Sequence, residues 1–375
     1  MDVFWIVLGL LVLIITILDC LRTVLNYDQP GIFMLQLQRM QWAVLRFFTR
    51  RAHGRLRHNM LRQATGIMLI TSVLWWLLGI LLGFAFIYLG AAGFGAIVRD
   101  KGAPVDFWTA LYLSIGQFST VGSDAVTVQN PWIDYATVLQ SLTSVLLMSL
   151  IITFLLNVFG AIRSLSDLCG NFTRPGAVTE HPIDALAPYF PRGRARDVDT
   201  LVSSVSEDFT SYTDDLRQNR VAYYFQSGRN QFSLPFALRM AAGLASALRW
   251  GLPTGSEISE LPELDRLLNT VVSFGEWFNK TRSRVPAPTA EPVTKERFAA
   301  QVNGDGDDRW VADFLAMTDQ MSQLTGASGP TDVDDAYARY TQWLPFQARM
   351  KELFDWISRS LDYRPEERAE ARYVE

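Results

Sequence analysis

A short apolar run between two long ones is the feature that most constrains this chain. Residues 107–118 are apolar and aromatic, and the longer apolar segments 66–88 and 136–162 lie on either side. A helix needs about 20 apolar residues to cross a bilayer, so the flanking segments are long enough and the central run is too short. Non-helical backbone at membrane depth is tolerated only where protein buries it or where it lines a water-filled cavity. The pattern therefore predicts a re-entrant segment between two spanning helices.

A third apolar segment, residues 3–18, lies at the start of the chain. It has no basic region before it and no small-residue cleavage site after it, so we interpret it as a retained spanning helix and not as a signal peptide. Apolar residues concentrate in the first 165 positions, and the mean hydropathy of the whole chain is only +0.11. We expect an all-α membrane protein with three spans, followed by a soluble α-helical domain.

Basic residues set the expected orientation. The loop of residues 21–65, between the first two spans, holds a single acid, Asp28, against eight arginines: Arg22, Arg39, Arg46, Arg50, Arg51, Arg55, Arg57 and Arg62. Such a bias places the loop in the cytosol, with the N-terminus outside and everything after Arg163 cytosolic. Because apolar residues alternate with these arginines, the loop is interpreted as an interfacial helix on anionic lipid headgroups. The alternative is a helix that packs on the cytosolic domain.

The sequence FWTALYLSIGQFSTVGSD, residues 107–124, resembles the pore helix and filter of potassium channels with two transmembrane helices and one pore loop. In the third span, Leu139, Gln140 and Ser144 are similar to that family's inner helix. The resemblance covers residues 66–162. It implies a pore helix over 107–118, a filter after it, and a homotetramer around the pore, since one chain supplies one pore loop.

The resemblance also implies the roles of individual residues. Thr120, Val121 and Gly122 would bind a monovalent cation, K⁺ or Na⁺, through their carbonyls, while Ser123 and Asp124 would form the outer mouth. This chain has Ser123-Asp124 where the family has Tyr-Gly-Asp, so the second filter glycine is missing. Fewer consecutive ion sites imply weaker discrimination between K⁺ and Na⁺. The inner helix also lacks a central hinge glycine, so gating by a bend there is not expected.

Polar residues recur along the third span at helical spacing. Two interpretations stay open for them: a water-lined cavity stripe, or hydrogen bonds between helices of one subunit. The residues concerned are Ser141, Thr143, Ser144, Thr153 and Asn157.

The remainder, 166–375, predicts a soluble all-α domain with a proline-containing linker near 284–294. Helices are expected over 195–226, 234–249, 260–282, 295–301, 308–324 and 332–362. Residues 303–308 resemble a calcium loop in composition, but Asp308 occupies the position of the required glycine, which favours a polar turn that caps the next helix. No nucleotide-binding motif and no catalytic constellation occur, so neither an enzyme nor a resident cofactor is expected, and a net charge of −4 gives no reason to expect nucleic acid.

The sequence therefore predicts four regions: a first transmembrane helix (1–20), a basic loop or interfacial helix (21–65), a pore module (66–165, with its pore loop at 106–124) and a cytosolic domain (166–375). The expected function is a tetrameric cation channel in a prokaryotic inner or plasma membrane, gated or assembled by the cytosolic domain and its unknown ligand or protein partner. The alternative is a non-conducting membrane scaffold or sensor with a relic pore loop.

Overall fold

A computed structural model of the chain describes residues 2–25, 31, 33–52, 54–99, 105–122, 126–173, 181–227, 231–281, 285–286, 288–326 and 332–363. The protein is predominantly helical. It divides into two compact units, which are described separately below. After the regions predicted from sequence, Met1–Gly160 with Leu216–Phe225 is called the membrane unit, and Ala161–Asp215 with Gln226–Glu375 the soluble unit.

Three helices are long and apolar enough to cross a membrane, which confirms the three predicted spans. They are α1 (Asp2–Leu25), α3 (Gly54–Gly93) and α5 (Pro131–Gly170). Both α3 and α5 have 40 residues, and a helix of that length is about 60 Å long, twice the thickness of the hydrocarbon core. Their polar ends, such as the arginine-rich start of α3, therefore continue the helices beyond the apolar segments seen in the sequence.

Glycines allow α1 and α3 to pack closely. A Cβ atom on Gly9 would lie 2.5 Å from the carbonyl oxygen of Gly83, and one on Gly83 would lie 2.6 Å from Cγ of Leu13. Small residues at a membrane helix interface let backbones approach and gain dispersion contacts that lipid alone does not supply. The opposite face of α1 exposes Val3, Val7 and Leu11, the arrangement expected of a lipid-facing surface.

A buried carboxylate fixes the start of α2 (Met34–Arg51) against the first two spans. Asp19 is only 1% exposed. Its Oδ1 accepts hydrogen bonds from the backbone N–H groups of Phe33 (2.8 Å) and Met34 (3.3 Å), and its Oδ2 accepts one from Trp76 Nε1 at 3.1 Å. Asp19 therefore satisfies free amide groups at the start of α2 and joins α1, α2 and α3.

Between α3 and α5 lie α4 (Phe107–Phe118) and a two-stranded antiparallel sheet. Strand β1 (Ile97–Arg99) pairs with β2 (Val126–Val128), with Ile97 opposite Val128 and Arg99 opposite Val126. The all-α prediction is right in its predominant helix content and did not include this ribbon. The first and last residues of the loop that holds α4 are thereby held side by side.

The described residues of the soluble unit are mainly helical. Its helices after α5 are α6 (Pro182–Leu186), α7 (Val198–Gln218, of which the last residues belong to the membrane unit), α8 (Leu234–Trp250), α9 (Pro262–Thr281), α10 (Lys295–Val302), α11 (Arg309–Thr325) and α12 (Val333–Ser360). Most of the predicted bounds differ from these by a few residues. The predicted helix over 195–226 instead ends at Gln218, and Arg220–Tyr224 forms a separate 3₁₀ turn.

The core of the soluble unit is aromatic. Phe298, Phe314, Tyr340 and Trp343 are each at most 2% exposed, and the rings of Phe314 and Trp343 lie 5.4 Å apart between centroids. The indole N–H of Trp343 donates to Ser246 Oγ at 2.8 Å, so its polar atom is satisfied within the core. Buried aromatic area of this size supplies most of the stabilisation such a helical domain needs.

Candidate ion-conduction site

The helix α4 begins at a well-formed cap. Asp106 precedes it in extended conformation, and its Oδ1 accepts hydrogen bonds from the backbone N–H of Thr109 (2.9 Å) and from the Thr109 hydroxyl. The Thr109 hydroxyl, its amide and, more weakly, the positive charge of Arg99 lower the pKa of Asp106 below its ordinary value. The negative charge of Asp106 also lies next to the positive end of the α4 dipole, which stabilises the helix. At 12 residues, α4 is about 18 Å long and cannot cross a bilayer.

Residues Thr120–Gly122 form a tight turn at the carboxyl end of α4. The N–H of Thr120 donates to Gln117 O at 3.1 Å, and that of Gly122 donates to Gly116 O at 3.1 Å. Both residues have positive φ, 60° at Thr120 and 80° at Gly122, while Val121 between them does not. A positive φ is usual for glycine but costs a β-branched residue about 1–3 kcal/mol. The segment that the resemblance implies to be the filter is therefore a strained turn in the single chain.

Side chains at this turn are placed as follows. Val121 is 85% exposed, and a Cβ atom on Gly122 would meet nothing within 4 Å. Ser123 and Asp124, the predicted outer mouth, lie outside the described residues.

A buried hydrogen-bond network centred on Gln140 fixes α4 between the two flanking spans. Gln140 Oε1 accepts from the Tyr88 hydroxyl at 2.7 Å, and its Nε2 donates to Ser114 O (2.8 Å) and Ser114 Oγ (2.9 Å). The Ser114 hydroxyl in turn donates to Leu81 O on α3 at 2.9 Å. Tyr88, Ser114 and Gln140 are all fully buried. Because unsatisfied polar groups are costly away from water, this network specifies one position for α4.

The two ends of the segment that holds α4 are paired with each other. The ribbon between β1 and β2 joins the chain before α4 to the chain after Gly122, and the N–H of Gln129 adds a hydrogen bond to Ala96 O at 2.9 Å. The pairing therefore keeps the two ends of the segment that holds α4 next to each other. Sequence reasoning missed the ribbon because strands of three residues have too few positions to show an alternating pattern.

One face of α4 has no covering within the described part of the chain. Trp108, Tyr112 and Ile115 recur at helical spacing and are 72%, 56% and 47% exposed. On α5, one buried stripe from Gln140 to Val158 faces the unit, and the opposite face exposes Leu139, Leu142, Val145, Leu146 and further apolar side chains. These surfaces are available to lipid or to other copies of the chain.

Hydroxyl groups along α5 mostly bond to their own helix. Thr143 donates to Leu139 O at 2.8 Å and Thr153 to Ser149 O at 3.0 Å. Ser144, at 3% exposure, faces inward, whereas Thr153 is exposed. Ser141 also reaches Gln117 O on α4 at 3.2 Å. Ser141 therefore forms a hydrogen bond between two helices of one subunit, whereas Thr153 lies on a surface that water could contact.

The basic helix α2 carries apolar side chains on two faces, one buried and one exposed. The buried face packs within the membrane unit through Trp42, whose ring lies 5.0 Å from that of Tyr224. Its other face exposes Phe33, Met40, Val44, Phe47 and Phe48 at 40–60%. The guanidinium of Arg51 stacks 3.5 Å above the Phe47 ring, at the edge of this exposed face. The helix thus packs on residues 216–225 and also retains an amphipathic surface, so the two alternatives from the sequence do not exclude each other.

The remaining sequence candidates lie in the soluble unit. Asp308 caps α11, since its Oδ1 accepts from the N–H of Val311 at 3.0 Å, as the turn interpretation expects. Within the described residues, no cluster of three His, Cys, Asp or Glu side chains could hold a metal ion. Of the predicted linker 284–294, residues 285–286 and 288–294 are described and are not helical.

Comparisons with known proteins identify no relative. No protein-family model, no curated protein and no solved structure matches the chain.

Proposed function

We propose that this chain is the subunit of a cation channel, in which four copies surround a pore lined by the turn after α4. The observation that carries the proposal is the geometry of the loop that holds α4. Its two ends are clamped together by a ribbon, its helix is too short to cross a bilayer, and Gln140 anchors it between two spans. Irregular backbone held at membrane depth requires a protein or aqueous surrounding, which a pore supplies.

The turn Thr120–Gly122 is the proposed ion-binding element. Its N–H groups at Thr120 and Gly122 already bond to helix carbonyls, so they do not repel an approaching cation. The carboxyl end of α4 lies beside the turn, and the negative end of its dipole favours a cation there. Strain at Thr120 is the kind of backbone cost that functional sites retain. Ser123 and Asp124 complete the outer mouth in this proposal.

Assembly follows from the incomplete site. One pore loop cannot enclose an ion, so cyclic symmetry with four copies is the proposed arrangement, with K⁺ or Na⁺ as the permeant ion. The exposed face Trp108–Tyr112–Ile115 of α4 supplies apolar and aromatic contacts for a neighbouring subunit. The end of α5, from Ala161, belongs to the soluble unit, so in this proposal that unit assembles or gates the pore through residues 157–163.

Orientation and lipid contacts belong to the same proposal. The arginines of α2 and its neighbourhood place this helix at the cytosolic face of a prokaryotic inner or plasma membrane, with the N-terminus outside. The exposed stripe from Phe33 to Phe48 would enter the headgroup region while Arg39, Arg50 and Arg51, all exposed, would meet anionic lipid.

Flux through liposomes tests the proposal. Purified protein should carry K⁺ or Na⁺, and Gly122→Asp should abolish that flux, because it adds a charged side chain to the ion path. Gly95→Asp is the matched control, since both glycines have positive φ and open space at Cβ, so both variants carry the same backbone strain and charge. Equal flux in all three proteins, or none in the wild type for either ion, would contradict the proposal and favour a non-conducting scaffold or sensor.

A further inference from the structure

The soluble unit contains a cavity of about 80 Å³ between α8, α11 and α12, next to the start of α6. A single water needs only about 10–15 Å³ on such a measure, so the space accommodates a small organic molecule. None of the sequence candidates lies in this cavity, and the proposed channel function does not use it.

The cavity is basic. Among the described residues that line it, Arg239, Arg309 and Lys351 are cationic and Asp313 is the one acid. Arg239 is 2% exposed, so its charge lies in a region of low dielectric, where attraction to an anion is strong. Burial lowers the pKa of the fifth titratable residue, His181, and its Nδ1 accepts a hydrogen bond from the N–H of Ile183 at 3.3 Å. Lys351 Nζ also pairs with Asp355 Oδ2 at 3.0 Å, outside the lining. The residues of the lining itself carry a net positive charge at neutral pH.

Two tryptophans line the cavity with aromatic rings. The rings of Trp310 and Trp343 lie 6.1 Å apart between centroids and are inclined at 73°. The indole N–H of Trp343 is already bound to Ser246, so its ring offers an apolar face and no free donor. Aromatic faces of this kind favour planar groups, which stack on them or meet them edge to face.

The lining includes a buried hydrogen-bond acceptor without a donor. The side-chain oxygen of Gln347 is buried and accepts no hydrogen bond within the described part of the chain. A buried acceptor without a donor costs about 1–3 kcal/mol, so such atoms are rare unless something supplies the donor. Gln347 lines the cavity together with Trp343 and Lys351, and an N–H or O–H group of a ligand bound there would supply the donor.

We propose that this cavity is a binding site for a small planar organic anion that carries a hydrogen-bond donor. Arg239, Arg309 and Lys351 attract its anionic group, Trp310 and Trp343 contact its flat part, and Gln347 accepts a hydrogen bond from it. Asp313, which lies 3.9 Å from Arg309 between the Nε and Oδ2 atoms, limits the charge and holds that guanidinium at the rim.

Calorimetric titration of the purified full-length chain with three compounds tests each element. Orotate is planar, anionic and carries ring N–H donors; uracil keeps the donors without the carboxylate; benzoate keeps the carboxylate without the donors. We expect orotate to bind about tenfold more tightly than either, because each lost group removes one recognised interaction. Binding is measured without ion flux, so the result is independent of the proposed channel function.

Variants locate the site. Arg309→Gln should weaken orotate binding about fivefold or more and leave uracil unchanged, and Gln347→Met should remove the preference for orotate over benzoate. Arg349→Gln is the control, since Arg349 is on α12 with Gln347, pairs with Glu276 and does not line the cavity. Thermal unfolding confirms that each variant is folded. The proposal is overturned if orotate does not bind, if the three compounds bind equally, or if Arg349→Gln weakens binding as much as Arg309→Gln.

Discussion

Phe159 and Phe314 show how differently the two units treat a large apolar side chain. Phe159, on α5 in the membrane unit, is 59% exposed, whereas Phe314, on α11 in the soluble unit, is fully buried. Every exposed large apolar side chain in the described residues lies between Val3 and Phe159. Among the described residues, the soluble unit buries such side chains, and the membrane unit presents many of them outward. Phenylalanine is therefore exposed in one unit and buried in the other, as expected if lipid surrounds the first unit and water the second.

The largest expected effect is the difference in unfolding free energy between a phenylalanine truncation in each unit. Phe314→Ala removes a buried ring from the aromatic core and should cost about 3–5 kcal/mol of unfolding free energy. Phe159→Ala removes an exposed ring and should change stability by less than about 0.5 kcal/mol in detergent. Chemical unfolding followed by tryptophan fluorescence measures both. Similar losses in the two variants would show that Phe159 is buried against protein and break the comparison.

Packing inside the membrane unit is tested next. Gly9→Leu would place a side chain against the backbone of Gly83 and should cost about 1–3 kcal/mol, because α1 and α3 must separate. Gly66→Leu on α3 is the control, since a Cβ there meets nothing within 4 Å. Unfolding in mixed micelles measures the difference. A Gly9→Leu protein as stable as the control would mean that the two helices do not pack through these glycines.

The polar network around α4 should have a smaller effect. Gln140→Leu leaves the Tyr88 hydroxyl buried without an acceptor and should destabilise the membrane unit by about 1–2 kcal/mol. The control is Thr143→Val, because the Thr143 hydroxyl bonds only to a carbonyl one turn earlier on its own helix in the described structure. The same unfolding assay applies. An unchanged Gln140→Leu protein would show that Gln140 does not hold α4 in place.

The smallest expected effect concerns the cap of α4 and its pH dependence. The hydrogen bonds from Thr109 lower the pKa of Asp106, so the stabilisation they give is complete above the ordinary value of 3.8 and is lost as pH falls through the lower folded value. Hydrogen exchange at the Thr109 amide should accelerate, relative to its intrinsic rate, below pH 3.8 in the wild type. Asp106→Asn keeps an acceptor that does not titrate and should show no such pH step. A step in both proteins would exclude Asp106 as its source.

The spans and the short helix could be predicted from sequence because each depends on a run of apolar residues within one continuous segment of the chain. The prediction of 107–118 as a helix agrees with α4 at both ends, where Asp106 and the turn at Thr120 set its limits. The long polar extensions of α3 and α5 were missed because hydropathy reports the solvent around a helix and not where the helix stops.

Other features required tertiary contacts that sequence does not show. Asp19 is a single acid at the end of an apolar run, and only the approach of Trp76 and Phe33 makes it a cap. The Ser114–Gln140–Tyr88 network joins three helices, and no spacing within any one of them indicates it. The cavity of the soluble unit likewise collects residues from four helices, each unremarkable in its own segment.

The most direct test of the proposed pore is chemical access to Val121 during ion flow. Val121 is 85% exposed at the turn after α4, Phe94 is 61% exposed outside it, and the two native thiols, Cys20 and Cys169, are buried. Currents should be recorded from Val121→Cys and Phe94→Cys proteins before and after a positively charged methanethiosulfonate reagent. The proposal predicts that the reagent blocks current in Val121→Cys and spares Phe94→Cys. Unchanged current in modified Val121→Cys protein would contradict it.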